Sequence, residues 1–520
     1  MSSAKQEVIP PSSRILDIRT LLFLLTALIF LYFFLFVPPF IPLEQHGDSP
    51  QYLVDAKRMY EGEVMYRDFF AFAPPGTALV NFSLFKLFGR RLWIPNLELL
   101  LLGLGLACTG LVIARKLMRP ALALLPIAIF LVGVYGRQLD ATHHWFSLLT
   151  ACAAIAVLME RRTPARIATA GFFCGLTACF TQTRGLAVVV AFGAYLWWEA
   201  RQRHEDRDRL FKKGAWLAAS FFATLFAVNG YFIWKAGLSR FFWCTVIFVI
   251  KYFPKGQFNS FMVFRDSFPA FVSLHNFVLR SMESLFFFVV IPTIYILFFA
   301  RCWQESGKEL TEFRERPMLL AMAGFAILLS VAPAPSSFRV AASALPGIIL
   351  MVWFFDSPNK VARVLTGLFT VGVLLVALNA VVRERPVHKW ILTTPQGQLA
   401  IGDRETYQMY TWVQQHTRPS EYFYEPAELN LYFYLNLRNP TPIHRIENDG
   451  YTRPEQVAEV IRGLEQHQTR YILCPSSGLV ASWKNPTEDN LGPARDYIQG
   501  HYRRISVSAF SGQVWEKTGQ

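Results

Sequence analysis

Long apolar runs with basic residues at their ends fill the chain up to about residue 382, and the pattern then breaks into short polar segments. The run from Leu21 to Ile41 and those near 92–114, 120–138, 143–160, 166–183, 185–199, 214–236, 283–300, 318–334, 338–356 and 361–382 predict about eleven membrane spans. One further apolar run, Pro75–Phe88, has about fourteen residues, short of the roughly twenty that a span needs. Charge gives an independent test of that stretch. If Pro75–Phe88 does not cross, Arg115, Lys116, Arg119, Arg161, Arg162 and the basic cluster from Arg201 to Lys213 all fall on the side of Lys5, Arg14 and Arg19, which is the cytoplasm. If it does cross, they all move outside. Pro75–Phe88 is therefore expected to be a re-entrant or surface-lying helix.

With the N-terminus inside and an odd number of spans, the C-terminus is expected outside. External segments are then a first loop 44–91, turns at Arg137–His144 and Gln182–Arg184, and a long loop 237–282 carrying the aromatic and basic run FFWCTVIFVIKYFPKGQF, suited to the membrane interface. After Arg383, helical patterns at Arg404–His416 and Pro454–Gln466 alternate with β-rich runs at Glu421–Tyr424, Arg470–Leu473 and Ile505–Phe510. The expected division is a membrane domain, 1–382, and a small extracytoplasmic α/β domain, 383–520.

A formal charge of +14 would suggest nucleic acid in a soluble protein, but here the Lys and Arg crowd the ends of apolar runs, so topology accounts for them. Seven cysteines show no metal-binding spacing, and only Cys474 lies in the C-terminal part, so no disulfide can form within it. The first apolar run is long and is followed by no small-residue cleavage site, so it is expected to remain as a span.

Candidate chemistry begins at Asp48. Ser49 and Pro50 follow it, a helix start, and the helix is expected to run from Pro50 to Tyr60 and stop at Gly62. A carboxylate at that end is held ionised by the helix dipole and can take a proton from an acceptor hydroxyl. The same residue could also serve only to start the helix. A second group, RQLDATHHW at 137–145, puts Asp140, His143 and His144 in a turn close to the membrane on the same side. Adjacent histidines with one Asp are weak ligand spacing, so no metal is assigned, although a divalent cation is left open. A third, QTRG at 182–185, offers Arg184 as a fixed cation for a phosphate. Arg67, Arg137, Lys251, Lys255 and Arg339 are expected on the same face, where an excess of cations calls for an anionic partner. The spans are nearly free of charge, with Glu98 the exception, and no Walker A, Rossmann, HExxH or GxSxG pattern occurs. That argues for chemistry at one face.

The order Asp48, Tyr52, Ala56, Gly62, Tyr66, then PPG at 74–76 and LFG at 87–89, resembles the first external loop of the GT-C membrane glycosyltransferases. The likeness is nearest to the Rgt-type lipopolysaccharide-core enzymes and more distant to protein O-mannosyltransferases and the aminoarabinose transferase. It extends to the Asp140 turn, QTRG and RVAASALP. The resemblance implies Asp48 as the first-loop catalytic acid and Asp140 as the second-loop acid. It implies Arg184 or Gln182 in the place of a phosphate-contacting Lys. Tyr52, Tyr66, His143, His144 and Arg339 would be donor or acceptor contacts. Ala73 and Gln182 depart from the family, which has Lys at both places, so phosphate recognition passes to Arg184, Arg137 and Arg67. The expected activity is inverting transfer of a sugar from a polyprenyl-phosphate donor to a glycan, lipid or protein acceptor, in a bacterial inner membrane and with no nucleic acid. The alternatives are a transporter or flippase of lipid-linked saccharides, or a non-enzymatic envelope protein whose outer domain binds a partner.

Overall fold

The computed structural model describes residues 17–256, 259–268, 274–304, 312–356, four positions between 372 and 382, 389–426, 429–447, 450–474 and 490–519. Its first nine helices are α1 (Ile18–Leu35), α2 (Ser49–Tyr60), α3 (Gly76–Phe88), α4 (Ile94–Arg115), α5 (Pro120–Gly133), α6 (His143–Leu158), α7 (Pro164–Phe180), α8 (Gln182–Gln202) and α9 (Arg207–Ala236). The helices Ile291–Gln304, Glu312–Leu329 and Leu345–Phe355 complete the bundle.

α1, α4, Pro120–Arg137, α9 and Arg280–Gln304 are long and apolar enough to cross a membrane. Only 22% of α1 and of the most apolar 18 residues of α9 is buried, and Leu22, Leu25, Ile29, Phe222 and Phe226 point outward. Such apolar outer faces belong in lipid. α6, α7 and Leu345–Phe354 are apolar but shorter, so of the expected spans five meet both criteria among the described residues. Apart from those four positions, the expected span 361–382 lies outside the described residues, as do Lys5, Arg14 and residues 383–388 just past the expected boundary.

α1 stops six residues before Ile41, because Pro38, Pro39 and Pro42 cannot continue a helix and Phe36–Val37 (β1) instead turns back on Ile41–Pro42 (β2). Asp17 caps α1 through the Thr20 N–H at 2.9 Å and also pairs with Arg115 at the end of α4, at 3.1 Å. α1 therefore starts where α4 ends, so α2 and α3 both lie beyond the opposite ends of these helices, and α3 makes no net crossing. The Arg115 face also gathers Arg162, Glu199, Lys213 and Glu315 into one ion-pair network: Arg162 lies 3.3 Å from Glu199 and 3.1 Å from Glu315. The basic clusters that the charge rule grouped together do share a face.

The stretch 237–282 is helical in its described residues. Its described part is a chain of short helices, beginning Leu238–Phe242, with π-helical turns at Trp243–Ile247 and, further on, at Phe286–Val290. The run of aromatic and β-branched residues lacks a helical polar face, but Phe248 finds a tertiary partner in Phe70, at 4.7 Å between ring centroids.

Beyond residue 389, Arg404–His416 and Pro454–Gln466 are helices with the expected bounds, and Tyr471–Cys474 (β5) is a strand. β5 pairs with Gln513–Lys517 (β7), which pairs in turn with Tyr502–Ile505 (β6), all antiparallel. Two expectations fail here. Glu421–Tyr424 makes only isolated bridges, Tyr422 to Arg438 and Tyr424 to Ile472. The strand expected at Ile505–Phe510 ends at Ile505, because the chain must reverse before β7 and Ser506–Gly512 does so. A hairpin, Trp390–Thr394 (β3) with Gly397–Ile401 (β4), precedes the sheet.

The C-terminal region shares its core with the first loop. Leu53, Val54, Phe85 and Ile94 pack in one cluster with Leu399, Tyr410, Val413 and Phe433, and Phe85 stacks on Phe433 at 5.5 Å. Hydrogen bonds reinforce the contact: Lys57 Nζ donates to the Leu437 carbonyl at 2.8 Å, and Arg58 Nη1 to that of Thr441 at 2.8 Å.

Candidate active site at the start of α2

The first loop arrives at α2 from a segment held by the C-terminal region. Glu44 accepts from Asn430 at 3.1 Å and from Tyr410, and the Gln45 N–H donates to the Tyr434 hydroxyl at 2.8 Å. Gly47 follows with φ +77°, a conformation that a side chain disfavours. A Cβ on Gly47 would also lie 2.2 Å from Asp140 Oδ2, so glycine is required twice over.

That close approach has a purpose. The two Asp140 oxygens accept the N–H groups of Asp48, at 2.8 Å, and Ser49, at 2.9 Å, so the first turn of α2 is capped by a carboxylate from another loop. Asp48 occupies the N-cap position but makes no side-chain cap hydrogen bond. Its exposed carboxylate is left facing the Thr142 hydroxyl, at 3.3 Å. Burial and the nearby Asp48 charge push the Asp140 pKa well up, against the two N–H groups that favour its charged form.

The turn 137–145 supplies the rest. The Tyr52 hydroxyl and His143 Nδ1 are hydrogen-bonded at 2.5 Å, and the His143 and His144 rings lie 3.9 Å apart. One ligand atom each from Asp48, His143 and His144 falls within 4.8 Å of the others. His144 Nδ1 is buried with no partner among the described residues, and a carboxylate with two imidazoles is a donor set that suits zinc or manganese.

Beneath the histidines, the fully buried Arg184 at the start of α8 donates Nη1 to the His144 carbonyl at 2.8 Å and to Ser147 Oγ at 2.9 Å. Its Nε and Nη2 have no partner among the described residues. A buried guanidinium with donors to spare is a site for an anion. Arg339, on the short helix Ser337–Ala341, reaches the group from the other direction, and its charge acts on Asp48 and Tyr52. It is held by Asn259 Oδ1 at 2.9 Å.

Asp48, Asp140, Tyr52, His143, His144, Arg184 and Arg339 thus come together from four parts of the chain. Four other expected residues stand apart. Arg137 pairs with Glu283 at 2.9 Å. Arg67 pairs with its neighbour Asp68 at 2.8 Å, on the wall of a different cavity. Tyr66 is buried, donates to the Ala73 carbonyl at 2.7 Å and packs edge-on to Phe232 and Phe241. Gln182 spends its amide on the Thr245 carbonyl at 3.3 Å. Gly47 and Thr142 were missed from sequence, although a glycine directly before a helix-start Asp is a readable signal.

No family profile matches the sequence, and none of the curated proteins does. Solved structures match the fold. ArnT from Cupriavidus metallidurans bound to undecaprenyl phosphate aligns over 96% of this chain and 98% of its own, with a TM-score of 0.57 and 13% identity. Its apo state gives a TM-score of 0.58 at 13% identity over 96% of this chain and 97% of its own. The oligosaccharyltransferase AglB from Archaeoglobus fulgidus, in complex with an inhibitory peptide and a dolichol-phosphate, gives 0.51 at 12% identity over 96% of this chain and 74% of its own. The chain has the GT-C fold, with its sheets confined almost wholly to the C-terminal region.

Proposed function

We propose that the protein is a glycosyltransferase that moves a sugar from a polyprenyl-phosphate donor to an acceptor on the face of the membrane where α2 begins. The observation that carries this reading is the Asp48 carboxylate, placed at an N-cap yet released from capping because Asp140 takes that task. A base must be accessible and ionised. Asp48 is exposed, and it stands at the positive end of α2.

In the proposed reaction the acceptor hydroxyl gives its proton to Asp48 as its oxygen bonds to the anomeric carbon. The bond from that carbon to the phosphate oxygen breaks on the far side, the configuration inverts, and polyprenyl phosphate leaves with the electron pair. Arg184 and Arg339 are preorganised cations for the charge that develops there. Apolar outer faces such as that of α1 suit the polyprenyl tail, and the solved neighbours ArnT and AglB hold an undecaprenyl phosphate and a dolichol-phosphate. Asp48, His143 and His144 are the residues that would hold a divalent cation, which would supply Lewis-acid charge when bound. Asp140 is then a positioning residue for the Asp48 turn.

The test uses purified protein in detergent with a panel of short-chain polyprenyl-phosphate sugars and a mixture of envelope saccharides as acceptors, following release of polyprenyl phosphate. Wild type should release it, and a folded Asp48→Asn variant should be slower by about 10²–10⁴-fold, the usual worth of a positioned base. Equal release by both would remove the catalytic role from Asp48. Donor movement across vesicles with no release by wild type would favour a flippase.

A further inference from the structure

Roughly 14 Å from Asp48, nine residues along α2 at about 1.5 Å each, a second cavity of about 540 Å³ opens at the seam between the first loop and the C-terminal region. Its walls come from the end of α2, the turn 63–68, Arg240, the stretch 437–442 and one face of the Pro454–Gln466 helix. The size falls in the range of small-molecule sites, about 300–1,000 Å³.

Six Lys or Arg side chains line it against four carboxylates. Three of those carboxylates are already matched: Glu61 by Lys57 at 3.0 Å, Glu63 by Arg58 at 2.5 Å and Asp68 by Arg67 at 2.8 Å. Two exposed arginines are not. Arg240 spends only Nε, on the Tyr66 carbonyl at 2.8 Å, and Arg462 makes no hydrogen bond or ion pair among the described residues. The remaining carboxylate, Glu459, is also without an ion pair among these residues, so the cavity keeps a positive excess. On the same wall Asn439 Nδ2 is a buried donor lacking a partner among the described residues, and Tyr422 and His467 stack at 3.9 Å to form a flat aromatic edge.

We propose that this cavity binds an anionic saccharide, the part of the acceptor glycan remote from the reacting hydroxyl. Forked guanidinium donors suit a phosphate monoester or a carboxylate, an amide suits sugar hydroxyls, and an aromatic edge suits the apolar face of a pyranose ring. The role as acceptor anchor rests on the glycosyl-transfer reading, whereas binding itself does not.

The experiment is calorimetric titration of the full-length protein in detergent. The probes are a tetrasaccharide bearing one phosphate monoester, its uronate counterpart and its neutral parent. Either anionic form should bind saturably and equally to wild type and Asp48→Asn, and the stronger of the two identifies the anion. The neutral parent should bind about tenfold more weakly or worse, as should the anionic form to Arg240→Gln/Arg462→Gln. Arg240→Lys/Arg462→Lys, which keeps the charge, should recover much of the loss. In transfer assays the Gln pair should raise KM for the anionic acceptor and leave kcat unchanged. Equal affinity for charged and neutral forms, or undiminished binding by the Gln pair, would overturn the proposal. So would displacement of the saccharide by bicelles of anionic phospholipid, which would make the site one for lipid head groups. The expected binding in a protein that transfers no sugar would keep the site and overturn its role as acceptor anchor.

Discussion

At the scale of single residues, the site depends on a division of labour between two carboxylates. Asp140 caps α2 from outside, and Asp48 is thereby left free. The two therefore respond differently to substitution. Asp140→Asn keeps one acceptor oxygen and should retain a measurable share of activity, whereas Asp140→Ala loses both cap bonds and should be worse by about tenfold or more. If Asp140 were itself the base, the Asn and Ala variants would be equally dead, and initial rates of polyprenyl-phosphate release distinguish the two cases. Gly47→Ala is the sharper probe of geometry. It puts a methyl group against Asp140 and a side chain at φ +77°, so it should cost about 1–2 kcal/mol in stability and depress the rate with Asp48 intact. Thermal unfolding and release assays on one preparation test both parts. The reactive residue types were legible in the sequence because each is rare in an apolar chain. Their pairing was not: Asp48 and Asp140 are 92 positions apart, and which of two acids caps a helix is decided only in three dimensions.

At the scale of elements, hydropathy located most of the bundle helices, since a run that is apolar all round has few soluble alternatives. It misread the places where tertiary contact overrides local pattern. The stretch 237–282 offered no helical pattern, yet its described part folds into short helices, with Phe248 under the aromatic cover of Phe70 and Phe72. The β3–β4 hairpin went unseen, because Thr394–Gly397 is a polar turn between strands of only five residues each. For α3, length and charge together predict a helix that does not cross. Arg115 meeting Asp17 supports this, because those ends can share a face only if α3 returns without crossing. The expected outcome is that cysteines placed at His46, before α3, and at His204, both exposed, react from opposite sides of a sealed vesicle with an impermeant thiol reagent. Reaction from the same side would mean that α3 crosses.

At the scale of the whole molecule, the first loop and the C-terminal region close on each other through buried charge. His444 Nε2 meets Asp55 Oδ1 at 2.8 Å, with Arg58 and Glu63 alongside. Burial lowers the His444 pKa, and the Asp55 contact opposes this only in part. A base with a depressed folded pKa lends stability above its unfolded value, about 6.5, and that stability is lost as pH falls through the folded value. Melting temperature should therefore drop between about pH 7 and 5, and His444→Gln should flatten the slope; an unchanged slope would assign the acid sensitivity elsewhere. Sequence could propose an outer α/β region but not its dependence on the loop, because the shared core joins residues such as Leu53 and Val413 that no local pattern relates. That interlock has a consequence for engineering. A chimera given a foreign C-terminal region would meet the native loop with mismatched side chains at Phe85, Lys57 and Asp55. Any exchange of the C-terminal region must therefore move 44–93 and 389–519 together.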